Sequence, residues 1–123
     1  MDVTQELHRY RPEIERALGA SRGHITYRDL PGLIEAGKLV LYSNDGAVLI
    51  CEPIPLPQGW MLCMFVTAGE MQHALALAEQ AERDAIRLGA VAISAIGRPG
   101  WERVLKKRGY RVETVIMAKE LQA

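Results

Sequence analysis

Seven apolar residues stand in unbroken succession from Trp60 to Val66. A strand wetted on one face alternates polar and apolar side chains, so an unbroken apolar run implies a central strand covered on both faces. Shortly after it, Glu70 to Leu88 places Met71, Ala74, Leu75, Ala78, Ala81, Ala85 and Leu88 at helical spacing. Gly89 supplies the stop. A doubly covered strand running into a long amphipathic helix directs the chain toward a sheet with helices packed on it.

The flanking sequence extends that plan. Asp2 to Arg9 suits a short, frayed helix within residues 1–11. Pro12 suits the first position of a second helix, where its missing N–H costs nothing. Glu13 and Glu15 then occupy the first turn, where the helix dipole favours acids. Ile14, Ala17 and Leu18 form its buried face, and Gly19 is its expected stop. Thr26 and Asp29 have capping-box spacing. Pro31 predicts a kink or a helix restart, ended by Gly37. Leu39 to Tyr42 and Ala47 to Glu52 read as strands of a hairpin turning at Asn44-Asp45-Gly46, since Asp-Gly tolerates positive φ. Pro53, Pro55 and Pro57 predict an extended connection outside the sheet interior. Val91 to Ile96 is a short strand. Pro99 or Gly100 opens a helix that Lys106, Lys107 and Arg108 close ahead of Gly109. Arg111 to Leu121 is the expected last strand. The order ααβββαβαβ describes one α/β domain over residues 1–123, a mixed sheet with helices on its faces.

Formal charge balances, with 15 basic and 15 acidic residues, which argues against a nucleic-acid or membrane-surface partner. No apolar run is long enough to span a bilayer, and the early charges are unlike a signal peptide. These features predict an intracellular chain. Cys51 and Cys63 lie on neighbouring predicted strands and are expected to be reduced. No CxxC is present and the three histidines are scattered, so no metal site is expected. Charge is unevenly placed: no Lys or Arg occurs between Lys38 and Arg83, whereas Arg98 to Lys119 is basic.

Three stretches carry a family resemblance. Gly100-Trp101-Glu102-Arg103-Val104-Leu105-Lys106-Lys107-Arg108-Gly109-Tyr110 resembles the last helix, glycine and aromatic of the GNAT acetyltransferases. Leu88-Gly89-Ala90 followed by Val91-Ala92-Ile93 resembles the end of that family's central helix and its next strand. Gly97-Arg98-Pro99-Gly100-Trp101 and the closing Lys119-Glu120-Leu121 resemble short GNAT-like proteins of tailed phages and prophages. The resemblance covers residues 12–121. It implies the GNAT fold with its first strand missing and its C-terminal hairpin shortened.

The resemblance also implies where acyl-CoA chemistry would sit. The family's phosphate loop follows the central strand, commonly as Arg/Gln-x-x-Gly-x-Gly/Ala, and offers backbone N–H groups to a pyrophosphate. Here the segment reads Val66-Thr67-Ala68-Gly69-Glu70. Gly69 alone fits, and Glu70 puts a carboxylate where the anion would lie. Phe65, Val66, Thr67 and Gly69 are the cofactor-binding candidates, with Arg98 as a cation from a distant segment. A splay between the central strand and the next would admit the pantetheine. Counting back from Tyr110 places Leu105, which cannot donate a proton, at the family's tyrosine acid. Glu52 is the candidate general base. Trp60 and Trp101 are candidate interaction residues, in the role of core or interface anchors.

With the phosphate motif and the acid both absent, the expectation is a phage-type GNAT-fold accessory or virion-associated protein, without standard acetyl-CoA catalysis and with no cofactor. It would reside in the host cytoplasm or the virion. Its exposed sheet edge would favour protein partners, self-association or docking to a particle. The alternative is a divergent acetyl-CoA-dependent N-acetyltransferase, with acetyl-CoA as its cofactor.

Overall fold

The computed structural model describes residues 1–20, 25–96, 100–114, 117, 119 and 121. Four strands form one mixed sheet in the order β1-β2-β3-β4. They are β1 (Val40–Asn44), β2 (Ala47–Leu56), β3 (Gly59–Gly69) and β4 (Ala92–Ala95). The first three run antiparallel to their neighbours, and β4 lies parallel to β3. The helices are α1 (Val3–Arg9), α2 (Arg11–Ala20), α3 (Leu30–Glu35), α4 (Met71–Arg87) and α5 (Trp101–Lys106).

The unbroken apolar run does lie at the centre of two cores. On one face, Leu7, Ile14, Leu18 and Leu30 of α1 to α3 pack against Val48, Ile50, Cys63, Phe65, Val66 and Ala68. On the other, Ala74, Leu77, Ala78, Ala81 and Ala85 of α4 join Trp101 and Leu105 of α5 against Leu49, Cys51, Leu62 and Met64. Each fully buried large side chain contributes about 1.5–3 kcal/mol of transfer free energy. The four small alanines of α4 let its backbone lie close to the sheet. Its stripe is rotated from the expected one. Leu77 is buried, whereas Leu88, beyond the last turn, is 59% exposed.

Local signals near the N-terminus explain the helical layer. Asp2 caps α1 by accepting from the Gln5 N–H at 3.2 Å. Thr26 and Asp29 form the expected capping box around a single 3-10 turn, Tyr27–Asp29. Pro31 then sits in the first turn of α3, the restart its missing N–H demands. The expected stop at Gly19 fails, because α2 continues through it to Ala20. Gly37, at φ 77°, does end α3.

Two strand expectations are corrected. β2 runs through Pro53 and Pro55 to Leu56, paired with β3 down to Leu56↔Gly59. The prolines fit because β1 stops at Val40↔Cys51. Beyond that pair, β2 has an open side where absent N–H donors are harmless. The expected strand Arg111 to Leu121 is not formed by its described residues, and 115, 116, 118 and 120 lie outside them. Along the outer side of β4, residues 108–111 with Glu113 and Thr114 instead wall a cavity of about 790 Å³ with Met61, Cys63 and Ser94.

Candidate functional site

The β2–β3 ladder contains one irregularity. Cys51 pairs with Met64, yet Ile50 pairs with Val66, so Phe65 is an extra residue on β3. A bulge makes two successive residues face one way. Phe65 and Val66 accordingly both enter the core beneath α1 to α3, whereas Met64 and Cys63 alternate normally.

At the same level the described pairing of β3 with β4 ends. Their described pairs run only from Met61↔Ala92 to Met64↔Ala95, closed by Ile96 N–H donating to the Met64 carbonyl at 2.9 Å. The Gly69 N–H points away from β2, since it donates to Glu13 Oε2 at 3.0 Å. By strand alternation, the Thr67 N–H and C=O point the same way. No described residue of β4 pairs with them.

Where β3 ends, one residue, Glu70, separates it from α4. The Glu70 N–H donates to the Gly46 carbonyl at 2.9 Å, and its carboxylate lies 3.7 Å from His73 Nε2. The hairpin turn is clamped onto this point: Asn44 Nδ2 donates to the His73 carbonyl at 2.9 Å. Arg9 fixes the turn from the other side, donating to the Asn44 and Asp45 carbonyls at 2.8 and 2.7 Å. Chain separation concealed this cation from a local reading of the loop.

Glu52 pairs with Cys63, which places both on the sheet face that carries Phe65. Glu52 is half-buried. Phe65, Val66, Thr67 and Gly69 are brought together by one strand, across the point where it bulges and its described pairing with β4 ends. Thr67 is buried, and its Oγ1 has no hydrogen-bond partner among the described residues. Arg98 lies outside the described residues. Trp101 is wholly buried against α4, and Trp60 is half-buried at the border of the same core. Cys51 and Cys63 are free and face opposite cores. Burial pushes both thiols up from their ordinary value. Two pairs were not anticipated, because each is built from distant elements. Tyr42 donates to Asp84 at 2.8 Å and Tyr110 to Glu82 at 3.2 Å.

Solved structures share this architecture. An aminoglycoside acetyltransferase from an uncultured soil metagenomic sample matches with a TM-score of 0.65 at 14% identity, over 96% of this chain and 89% of its own. A tetramutant Bacillus halodurans protein gives 0.68 at 12% identity, over 96% and 94%. An acetyltransferase of Trypanosoma brucei gives 0.62 at 10% identity, over 78% of each chain. The chain has the GNAT fold. No family model and no curated protein matches the sequence. The GNAT likeness corrects the functional expectation. The functional name carried by structures of this fold is acetyltransferase, and nothing in the likeness leads to a phage or virion protein. Among the described residues, no GNAT-fold helix here is long and apolar enough to cross a membrane.

Proposed function

We propose that the chain is a divergent acetyl-CoA-dependent N-acetyltransferase. One observation carries this reading: β3 bulges at Phe65 and its described pairing with β4 ends at the same level, with the Thr67 backbone groups directed away from β2. The named acetyltransferases of the same fold support it. In this reading the pantetheine amides bond to Thr67, the acyl group lies beside the Phe65–Val66 backbone, and the diphosphate approaches Gly69 at the positive end of α4. Arg98 is assigned by its sequence position as the balancing cation.

Glu52 is assigned as general base. A neutral acceptor amine attacks the thioester carbonyl, forming the C–N bond. The C–S bond then breaks, and Glu52 accepts the proton leaving the nitrogen and passes it through water to the departing thiolate. The outer side of β1 has no strand partner among the described residues, and we infer that a second copy pairs there.

Thermal melting with CoA and acetyl-CoA, then thiol release with a panel of primary amines, tests the enzyme reading. Millimolar CoA is expected to raise the melting temperature. Glu52→Gln is expected to lower kcat about 10²–10⁴-fold, with CoA binding kept. Absence of any melting shift at millimolar CoA would falsify the reading.

A further inference from the structure

The strand-to-helix turn at Gly69 already holds an anion, and it belongs to the protein. Glu13 lies 56 positions earlier, on α2, and its Oε2 accepts the Gly69 N–H at 3.0 Å. The neighbouring Ile14 is wholly buried, so the packing of α2 fixes where Glu13 stands. A carboxylate accepting a backbone N–H makes a stronger bond than a neutral acceptor does. The turn also lies at the N-terminus of a helix of 17 residues, whose dipole favours negative charge. The next N–H, of Glu70, is taken by the Gly46 carbonyl. An incoming anion therefore meets a turn whose Gly69 and Glu70 N–H groups are both engaged, the first by a charge of its own sign.

We propose that Glu13 is an internal competitor for the diphosphate of the acyl donor, and so a specificity-determining residue. The inference rests on the acetyl-CoA reading given above. A diphosphate reaches the Gly69 N–H only by displacing the Glu13 carboxylate, so donor affinity is lowered by whatever that contact contributes. A pantetheine thioester without a nucleotide does not extend to the turn and does not meet this competition. Glu13 thus narrows the advantage that a nucleotide-bearing donor holds over a bare pantetheine one.

The test is calorimetric titration of the folded chain with CoA and with pantetheine. The variants are Glu13→Gln, Glu13→Ala and, as a control, Glu15→Gln. Glu15 is on the same helix but pairs with Arg11 at 2.6 Å. Glu13→Gln keeps an oxygen acceptor for Gly69 and removes only the charge, so it tests the proposal even where Glu13→Ala disturbs α2. Glu13→Ala is expected to bind CoA about tenfold tighter than the parent, and Glu13→Gln severalfold tighter. Pantetheine affinity and the Glu15→Gln variant should be unchanged. Equal CoA affinity in the parent and both Glu13 variants overturns the proposal and leaves the acetyl-CoA reading standing. Equal tightening of CoA and pantetheine also overturns it, because the effect then does not act through the diphosphate. Absence of binding by either ligand, in parent and variants alike, removes both readings together.

Discussion

Replacing Gly69 with alanine tests whether the hairpin turn and the end of β3 are locked together as described. Gly69 has φ 105°, a conformation that side chains rarely adopt. An added Cβ would lie 2.3 Å from the Gly46 carbonyl oxygen and 2.7 Å from Ala47 Cα. Both neighbours are backbone, so neither can rotate aside. The backbone conformation alone costs about 1–3 kcal/mol, and forcing the turn away costs about 1–3 kcal/mol more. Moving Gly46 also weakens its bond from the Glu70 N–H. Gly89 supplies the control. It too has positive φ, at 83°, but an added Cβ meets nothing within 4 Å, so its alanine variant carries the conformational cost of about 1–2 kcal/mol alone. Urea unfolding of the two variants beside the parent measures the difference. Gly69→Ala is expected to lose about 1–3 kcal/mol more than Gly89→Ala, a midpoint lower by about 1 M or more. Equal losses for the two variants would refute the idea that the turn presses on Gly69.

Two further outcomes follow from the buried titratable groups and the open sheet edge. Burial raises the pKa of Cys51 and Cys63 above an ordinary 9.0, and of Tyr42 and Tyr110 above an ordinary 10.0, with Asp84 and Glu82 adding to the tyrosine shifts. The unfolded chain then gives up these protons first as pH rises. Stability is therefore held below pH 9 and falls progressively through pH 9–11; a melting series that stays flat to pH 11 contradicts this. Light scattering of the purified chain at tens of micromolar is expected to return the mass of a dimer, and a monomer at every concentration removes the pairing inferred at β1.

Much of the architecture was legible because it follows from local chemistry. The run Trp60 to Val66 demanded two cores, and the structure supplies them. Thr26 with Asp29, and Pro31, each specified a cap or restart through its own backbone preference, whereas the turn at Asp45-Gly46 forms where expected without a positive φ at Gly46. The misreadings have equally physical causes. Pro53 and Pro55 break a strand only where a neighbour needs their donors, and the sequence does not say where β1 stops. The candidate site was half legible. The family resemblance pointed to the segment Phe65 to Gly69, but the bulge exists only as a mismatch between two strands and has no marker in one of them. Glu13 read correctly as a first-turn acid, yet its acceptance of the Gly69 N–H depends on how α2 docks. Arg9 reached the hairpin turn for the same reason.

The extra residue at Phe65 leaves β3 with a second way to pair. Without the bulge, every pair from Leu56↔Gly59 to Cys51↔Met64 would survive. Beyond them, Ile50 would face Phe65, Leu49 would face Val66, and Val48 would face Thr67. Val66 and Ala68 would then turn toward α4, and Thr67 toward the opposite core. All three side chains are small enough for either layer, so hydrophobic pattern alone barely discriminates between the two alignments. What discriminates is the far end. Only the bulged alignment brings Gly69 opposite Ala47, where the Glu70 N–H meets Gly46 and His73 meets Asn44. The pairs from Leu56↔Gly59 to Cys51↔Met64 are thus common to both alignments. The bulge at Phe65 is therefore set by contacts at the opposite end of the strand, where α4 begins.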